Sequence, residues 1–480
     1  MERFRSVGLG FFLLVAILNS GSAAVASRYT LLEGSCLVDD CPVCDRMPIV
    51  KQLRGTFDLV LENLGAEFTD YRIENVEFVV GGGEFQVNGA GAYRIGGYKN
   101  LIQQDLQLAL IIDQQTAYFT NQTPTAFRTW PTIEASVTQT NGTMIKQYSL
   151  TIQAAPVREL WFSTRTGLTP GRSPRNHVSG GDLISFNGRV VKNSQDLTRN
   201  LGLKASATDP GLAALDVGSS GLVFFSLSEG GASSTLGNIQ QGDLVSSAGK
   251  IHRSNQDLTR QFGIQPPVPD LGLDAVQVLP SGEIYFSIRN SAFSERLGQS
   301  IQKGDILSDR GVIIQSNAAL LANFHPKDPR PDYGLDALYI WPEGEIWFST
   351  EESFESATLG MVTHGDLLSN QGFIVFRNLE MVGAFQPLED IANFGLDAVY
   401  VVTDLAKALD RPPVLAGIQK APGGNLVKIA WQGPGEVFQV ERSATLNGAF
   451  TACSVITLDQ FYEESFAGTN APAFYRVRQW

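Results

Sequence analysis

A unit of about 61 residues recurs four times between Glu159 and Val402, and this period limits the folds open to the chain. Its clearest line is Gly-Asp-aliphatic-aliphatic-Ser followed three places on by Gly. It reads GDLISFNG at 181–188, GDLVSSAG at 242–249, GDILSDRG at 304–311 and GDLLSNQG at 365–372. The leading glycines are spaced by 61, 62 and 61 residues. An aromatic-Phe-Ser triplet keeps step with it: Trp161-Phe162-Ser163, Phe224-Phe225-Ser226, Tyr285-Phe286-Ser287 and Trp347-Phe348-Ser349. So does a Gly-Leu-x-Ala line at 211–215, 272–276, 334–338 and 395–399. A fixed period of this size means supersecondary units packed side by side.

Each unit reads as four short strands. The Gly-Leu-x-Ala line is the first and the aromatic-Phe-Ser triplet ends the second. A connection of some fourteen residues leads to the third, Gly-Asp-aliphatic-aliphatic-Ser, and a turn closing on glycine leads to the fourth. Ser194, Asn255, Asn317 or Asn378 then caps a helical turn, and a segment ending Asp209, Asp270, Asp332 or Asn393 returns the chain. Four antiparallel strands per unit is a propeller-blade layout. A lone sheet of this kind exposes two apolar faces. Burying one phenylalanine is worth about 1.5–3 kcal/mol, and Phe162, Phe225, Phe286 and Phe348 can gain that only against neighbouring units. The first triplet lacks a preceding inner strand, and the last inner strand, 396–402, lacks a following triplet. The expectation is that the two pair and close the ring. In the alternative, 149–155 supplies the first inner strand.

The fold class expected is therefore all-β: a four-bladed propeller of ~61-residue repeats at 158–405, with a β-rich N-terminal domain at 27–157 and a small sandwich-like module at 415–480. In the N-terminal part, Leu106, Leu108, Leu110 and Ile112 alternate with other residues at a period of two, which marks a strand with one buried face. Residues 406–414 read as a linker.

The first 26 residues place Arg3 and Arg5 before the apolar run Val7–Leu18 and end Ala24-Val25-Ala26. That pattern is a signal peptide, so the chain is expected to be secreted, extracellular or at the cell surface, without a membrane span. Its net charge of −13 argues against nucleic acid as a partner. Cys36, Cys41 and Cys44 form a C-x4-C-x2-C cluster, with Cys453 far away. In an exported chain with no histidine nearby, a local disulfide among the three is expected over a metal site.

The repeated Asp182, Asp243, Asp305 and Asp366 read as turn-forming groups, because a residue needed by every unit serves the unit's own backbone. Asp274, Asp336 and Asp397 differ, since the first unit has Ala213 at that place. The next residue is alanine in all four, which suggests a narrow axial channel. Here the repeat resembles the hemopexin-like four-bladed propeller, whose inner strands carry Asp-Ala and whose second strands carry aromatic-Phe. That resemblance implies a channel cation, Ca²⁺ or Na⁺, at Asp274, Asp336 and Asp397. Trp431, FQVERS at 438–443 and YRVR at 475–478 resemble strands of a fibronectin-type-III module. The modular build as a whole is similar to that of secreted bacterial surface or matrix proteins.

His177, His252, His325 and His364 occupy non-equivalent places, and neither G-x-S-x-G nor a P-loop is present, so no conventional catalytic signature is found. The connections between second and third strands vary in charge. The first carries Arg165, Arg172, Arg175 and His177; the fourth carries Glu351, Glu352 and Glu355. Varied loops on a repeated scaffold are where binding specificity sits. The functional expectation is a non-catalytic binding or scaffold protein engaging a protein or a glycan through these loops. The alternative is a secreted glycan hydrolase with a carboxylate-based site.

Overall fold

The computed structural model describes residues 26–97, 102–121, 125–126, 130–173, 175–204, 209–328, 330, 332–403, 414–420, 426–446, 448, 450–465 and 473–480. All of the 1–26 signal-peptide reading except Ala26, and all of the 406–414 linker except Val414, fall outside these residues. The described chain is predominantly antiparallel β-structure. No described helix is long and apolar enough to cross a membrane.

The N-terminal strands close on themselves. Ala26–Leu31, Ile49–Leu64, Phe68–Val80, Phe85–Gly96, Gln103–Ile112, Gln115–Thr120, Ile133–Gln139 and Gln147–Ser163 pair in that order, and the last pairs back to the first. Closure leaves no long free edge in this cycle. The alternation at Leu106–Ile112 is a true inward face: Leu106, Leu108, Leu110 and Ile112 are buried beside Tyr29, Phe57, Phe78, Tyr93 and Phe119. Cys41 and Cys44 form a disulfide, and Cys36 and Cys453 are free thiols.

Gln147–Ser163 is one unbroken strand. Its first half belongs to the N-terminal cycle, so 149–155 does not start an extra repeat. Its second half joins Ala398–Thr403, pairing Glu159 with Val402 and Ser163 with Ala398. Leu183–Ser185 and Arg189–Lys192 extend this sheet. Three further four-stranded sheets follow, with inner strands Ala214–Gly218, Ala275–Val278 and Ala337–Ile340. Each inner strand lies against the next, and Ala398–Thr403 lies against both the third and the first. The four sheets thus form a closed cycle of contacts.

Two repeated features hold that cycle. The alanines do not line a channel, as the sequence suggested; they face the next unit. Ala214 packs with Val276 and Phe286, and Ala275 with Leu338 and Phe348. Ala337 packs with Val399 and Phe162, and Ala398 with Leu215 and Phe225. A small side chain here lets adjacent inner strands approach closely. Beside it, the fully buried serine of each triplet donates to a leucine carbonyl of the next unit. Ser163 Oγ bonds Leu212 O at 3.2 Å, Ser226 Oγ Leu273 O at 2.7 Å, Ser287 Oγ Leu335 O at 2.9 Å and Ser349 Oγ Leu396 O at 2.9 Å.

The Gly-Asp aspartates serve their own unit. Asp182, Asp243, Asp305 and Asp366 each accept two backbone N–H bonds, one from three residues before and one from twelve after. The helix cap is one residue earlier than expected: Asn193, Ser254 and Ser316 accept the N–H three residues on. Asn255, Asn317 and Asn378 instead accept from Leu271, Tyr333 and Phe394 N and so fasten the return segment. Three of the long connections are not open loops but carry two-stranded hairpins, such as Ala292–Ser294 with Gln299–Ile301.

The C-terminal strands form two three-stranded sheets, built on Leu426–Gln432 and Phe438–Ser443, around Ile429, Trp431, Phe438 and Val440. Val437, Ile456, Leu458 and Trp480 join the core of the first repeat units.

Ser226→Ala is expected to lower stability by about 1–2 kcal/mol, because it strands a buried carbonyl. Phe286→Ala is expected to cost about 3–5 kcal/mol through the cavity it leaves. Urea unfolding midpoints check both; an unmoved midpoint for Ser226→Ala contradicts the inter-unit role of the serine.

Candidate functional site

The residue before each inner-strand alanine and the residue two after each buried serine come together at one end of the cycle. The first set is Ala213, Asp274, Asp336 and Asp397; the second is Arg165, Ser228, Arg289 and Glu351. All eight line one open cavity of about 390 Å³. Tight local geometry puts them there: the Gly-Leu glycine of each unit has a positive φ, 68° at Gly272 and 73° at Gly334. A Cβ on Gly334 would sit 2.4 Å from Glu351 Cβ, so glycine is required for the approach.

The charges are interlocked across units. Arg165 Nη2 donates to Asp336 Oδ2 at 2.5 Å, and Arg165 Nε lies 3.4 Å from Asp397 Oδ1. Arg289 donates to Asp274 Oδ1 through Nε at 2.9 Å and Nη2 at 2.6 Å, and through Nη1 to Ser228 O at 3.1 Å. Lys303 Nζ lies 2.6 Å from Glu351 Oε2. Asp274 and Asp336 are buried under the arginines. Burial raises the pKa of both, against the pull of Arg289 and Arg165 respectively. Burial also pushes Asp397 up to about 6, again against Arg165. Asp397 Oδ1 is buried and has no hydrogen bond.

Of the residues the sequence singled out, Arg165, Glu351, Asp274, Asp336 and Asp397 share this mouth. Arg172 and Arg175 are exposed and lie outside it. His177 lines a neighbouring groove with Asp182, Lys204 and Glu229. Glu352 pairs with Arg330 at 2.8 Å, and Glu355 with Lys327. Arg289 and Ser228 were missed. Their register, two places after the triplet serine, is the signal that finds them.

The mouth does not fit the expected Ca²⁺ or Na⁺. Two guanidinium groups already engage Asp274, Asp336 and Asp397, and no group of three or more His, Cys, Asp or Glu among the described residues is arranged to hold a metal ion. A hard cation needs several free oxygens converging on one point.

Further along the inner strands a second set of side chains bridges successive units. Asp216 Oδ2 accepts from Val278 N at 2.7 Å, and Gln277 exchanges two bonds with the Ile340 backbone. Tyr339 and Tyr400 meet edge to face at 6.4 Å. The C-terminal module sits against this end: Tyr400 donates to Glu436 Oε2 at 2.5 Å, and Ser220 N donates to Gly435 O at 2.8 Å. Burial pushes Asp216 up to about 8 and also raises Glu436.

No family model matches this chain, and no curated protein does. Among solved structures, the extracellular domain of a one-component system from B. thetaiotaomicron covers 88% of this chain and 74% of its own, at 8% identity and a TM-score of 0.19. A likeness of that degree transfers nothing to this protein.

The buried acid at Asp216 makes stability pH-dependent. Its folded pKa, about 8, stands above the ordinary 3.8, so between these values the folded state holds a proton that the unfolded chain releases. Its contribution is fully present below the ordinary value and is lost as pH rises through about 8. The melting temperature is expected to be lower at alkaline than at mildly acidic pH, with a smaller difference in Asp216→Asn. Calorimetry at the two pH values checks this; an identical difference in the variant contradicts it.

Proposed function

We propose that this chain is an exported, non-catalytic binding protein that takes a protein or glycan ligand at the charged mouth and on the loops around it. In this reading residues 158–405 are a four-bladed propeller related in build to the hemopexin-like type. Residues 27–157 and 415–480 are flanking modules, the latter fibronectin-III-like. The mouth carries the proposal. Side chains from four sequence-distant units converge there, two arginines over buried aspartates. Asp274 and Asp336 are each engaged by a guanidinium at 2.6 Å and 2.5 Å. That arrangement holds charge in place for recognition and leaves neither carboxylate free as a nucleophile.

One observation favours the second reading, a secreted glycan hydrolase. Asp397 stands among the carboxylates Asp274, Asp336 and Glu351 of the mouth, and burial raises it to about 6, which suits a proton donor at mildly acidic to neutral pH.

The full chain should capture a ligand from a panel of arrayed glycans and extracellular proteins without turning it over. The paired neutral substitution Arg165→Gln with Asp336→Asn should weaken capture roughly tenfold or more at a retained melting transition. Turnover of a glycan that disappears in Asp397→Asn would establish the hydrolase instead. Capture untouched by the paired substitution removes the mouth from the account.

A further inference from the structure

The mouth is not four-fold symmetric, and its departure lies in one quarter. Three units carry an aspartate before the inner-strand alanine; the first carries Ala213. Beside it stands Ser228, where two other units carry Arg165 and Arg289 and the third Glu351. Gly211 lies next to Ser228: a Cβ there would be 2.7 Å from Ser228 Cβ. Small side chains thus leave this quarter open, between Arg165 on one side and Arg289 on the other.

Charge says what fits the opening. The cavity is lined by six carboxylates, Asp209, Glu229, Asp274, Asp336, Glu351 and Asp397, against two guanidinium groups. The chain's own cations answer part of that excess. Arg289 satisfies Asp274, Lys303 pairs with Glu351 from outside the cavity lining, and Arg165 satisfies Asp336 while standing 3.4 Å from Asp397. That contact leaves Asp397 Oδ1 with an ion pair but without a hydrogen bond. An anionic ligand meets an excess of like charge. A hard metal ion finds no converging set of free oxygens. A group with directional N–H donors and a delocalised positive charge matches what Arg165 and Arg289 already do in the neighbouring quarters.

We propose that the open quarter of the mouth binds an organic cation, the guanidinium or ammonium of an arginine or lysine side chain presented by a protein partner. This rests on reading the mouth as the ligand site, and within that reading it selects a basic protein segment over a glycan. The guest side chain takes the place that an arginine at position 228 would fill and pairs with Asp397 and the acids of the first unit.

Calorimetric titration of the full chain tests it. The probes are acetyl-Gly-Arg-Gly-amide and acetyl-Gly-Lys-Gly-amide, their citrulline and acetyl-lysine counterparts, and glucosamine. The cationic peptides are expected to bind, and the neutral counterparts to bind about tenfold or more weakly. Ser228→Arg should abolish peptide binding while leaving melting unchanged, because two other units already hold arginine at that place. Asp397→Asn should weaken binding about tenfold or more. Equal binding of the neutral peptides overturns the proposal, as does undiminished binding to Ser228→Arg or binding of glucosamine alone. If no cationic probe binds, yet a captured ligand still depends on Arg165 and Asp336, the cation inference falls and the binding reading stands. If capture is also indifferent to those residues, both fall.

Discussion

One hydrogen bond, made four times, holds the repeats in their cycle. A serine hydroxyl with no solvent exposure reaches out of the second strand of each unit to a leucine carbonyl at the head of the next unit's inner strand. Because Ser163 pairs with Ala398, two residues after Leu396, the four bonds form a loop with no beginning or end. Each is worth little by itself, about 0.5–1.5 kcal/mol net. Its geometric effect is larger. It fixes how far one inner strand lies from the next, while the alanine beside it removes the side chain that would force them apart.

That spacing places the mouth. The aspartate before each alanine and the residue two after each serine flank the same bond, so closing the cycle brings both sets together. Charges distant in sequence then interlock: Arg165 reaches Asp336 across 171 positions. The buried acids are tolerated because guanidinium groups stand over them; at Asp397 the ion pair with Arg165 is longer, 3.4 Å, and its Oδ1 is buried without a hydrogen bond. The other end of the inner strands is treated differently. There Asp216, Gln277, Tyr339 and Tyr400 bridge neighbouring strands, and the C-terminal module lies against them through Glu436 and Gly435. The two ends thus differ in character, one open and charged, the other covered and largely buried.

Much of this is legible in the sequence. The register of four repeated lines located the strands, and the unpaired first and last strands located the closing seam. The repetition of Asp182, Asp243, Asp305 and Asp366 marked them as turn groups. What was not legible depended on direction rather than position. The alanines could be placed on the inner strands, yet whether they faced an axis or a neighbour is decided by packing between units. The acids at 274, 336 and 397 could be grouped, but the arginines that neutralise them lie on a different strand, and only their register to the serine betrays them. Closure of the N-terminal strands was invisible as well, because pairing Ala26–Leu31 with Gln147–Ser163 is a contact over more than a hundred residues that no local pattern records.

Hydrogen–deuterium exchange at the seam tests the account most directly. The backbone amides of 159–163 and 398–402 pair with each other as Ala214–Gly218 pairs with Leu222–Ser226 inside an uninterrupted unit. The account predicts equal protection in the two places, since a closed cycle has no weak joint. Fast exchange confined to 398–402, with 214–226 still protected, would mean that the last strand is a free end and that the four units do not close.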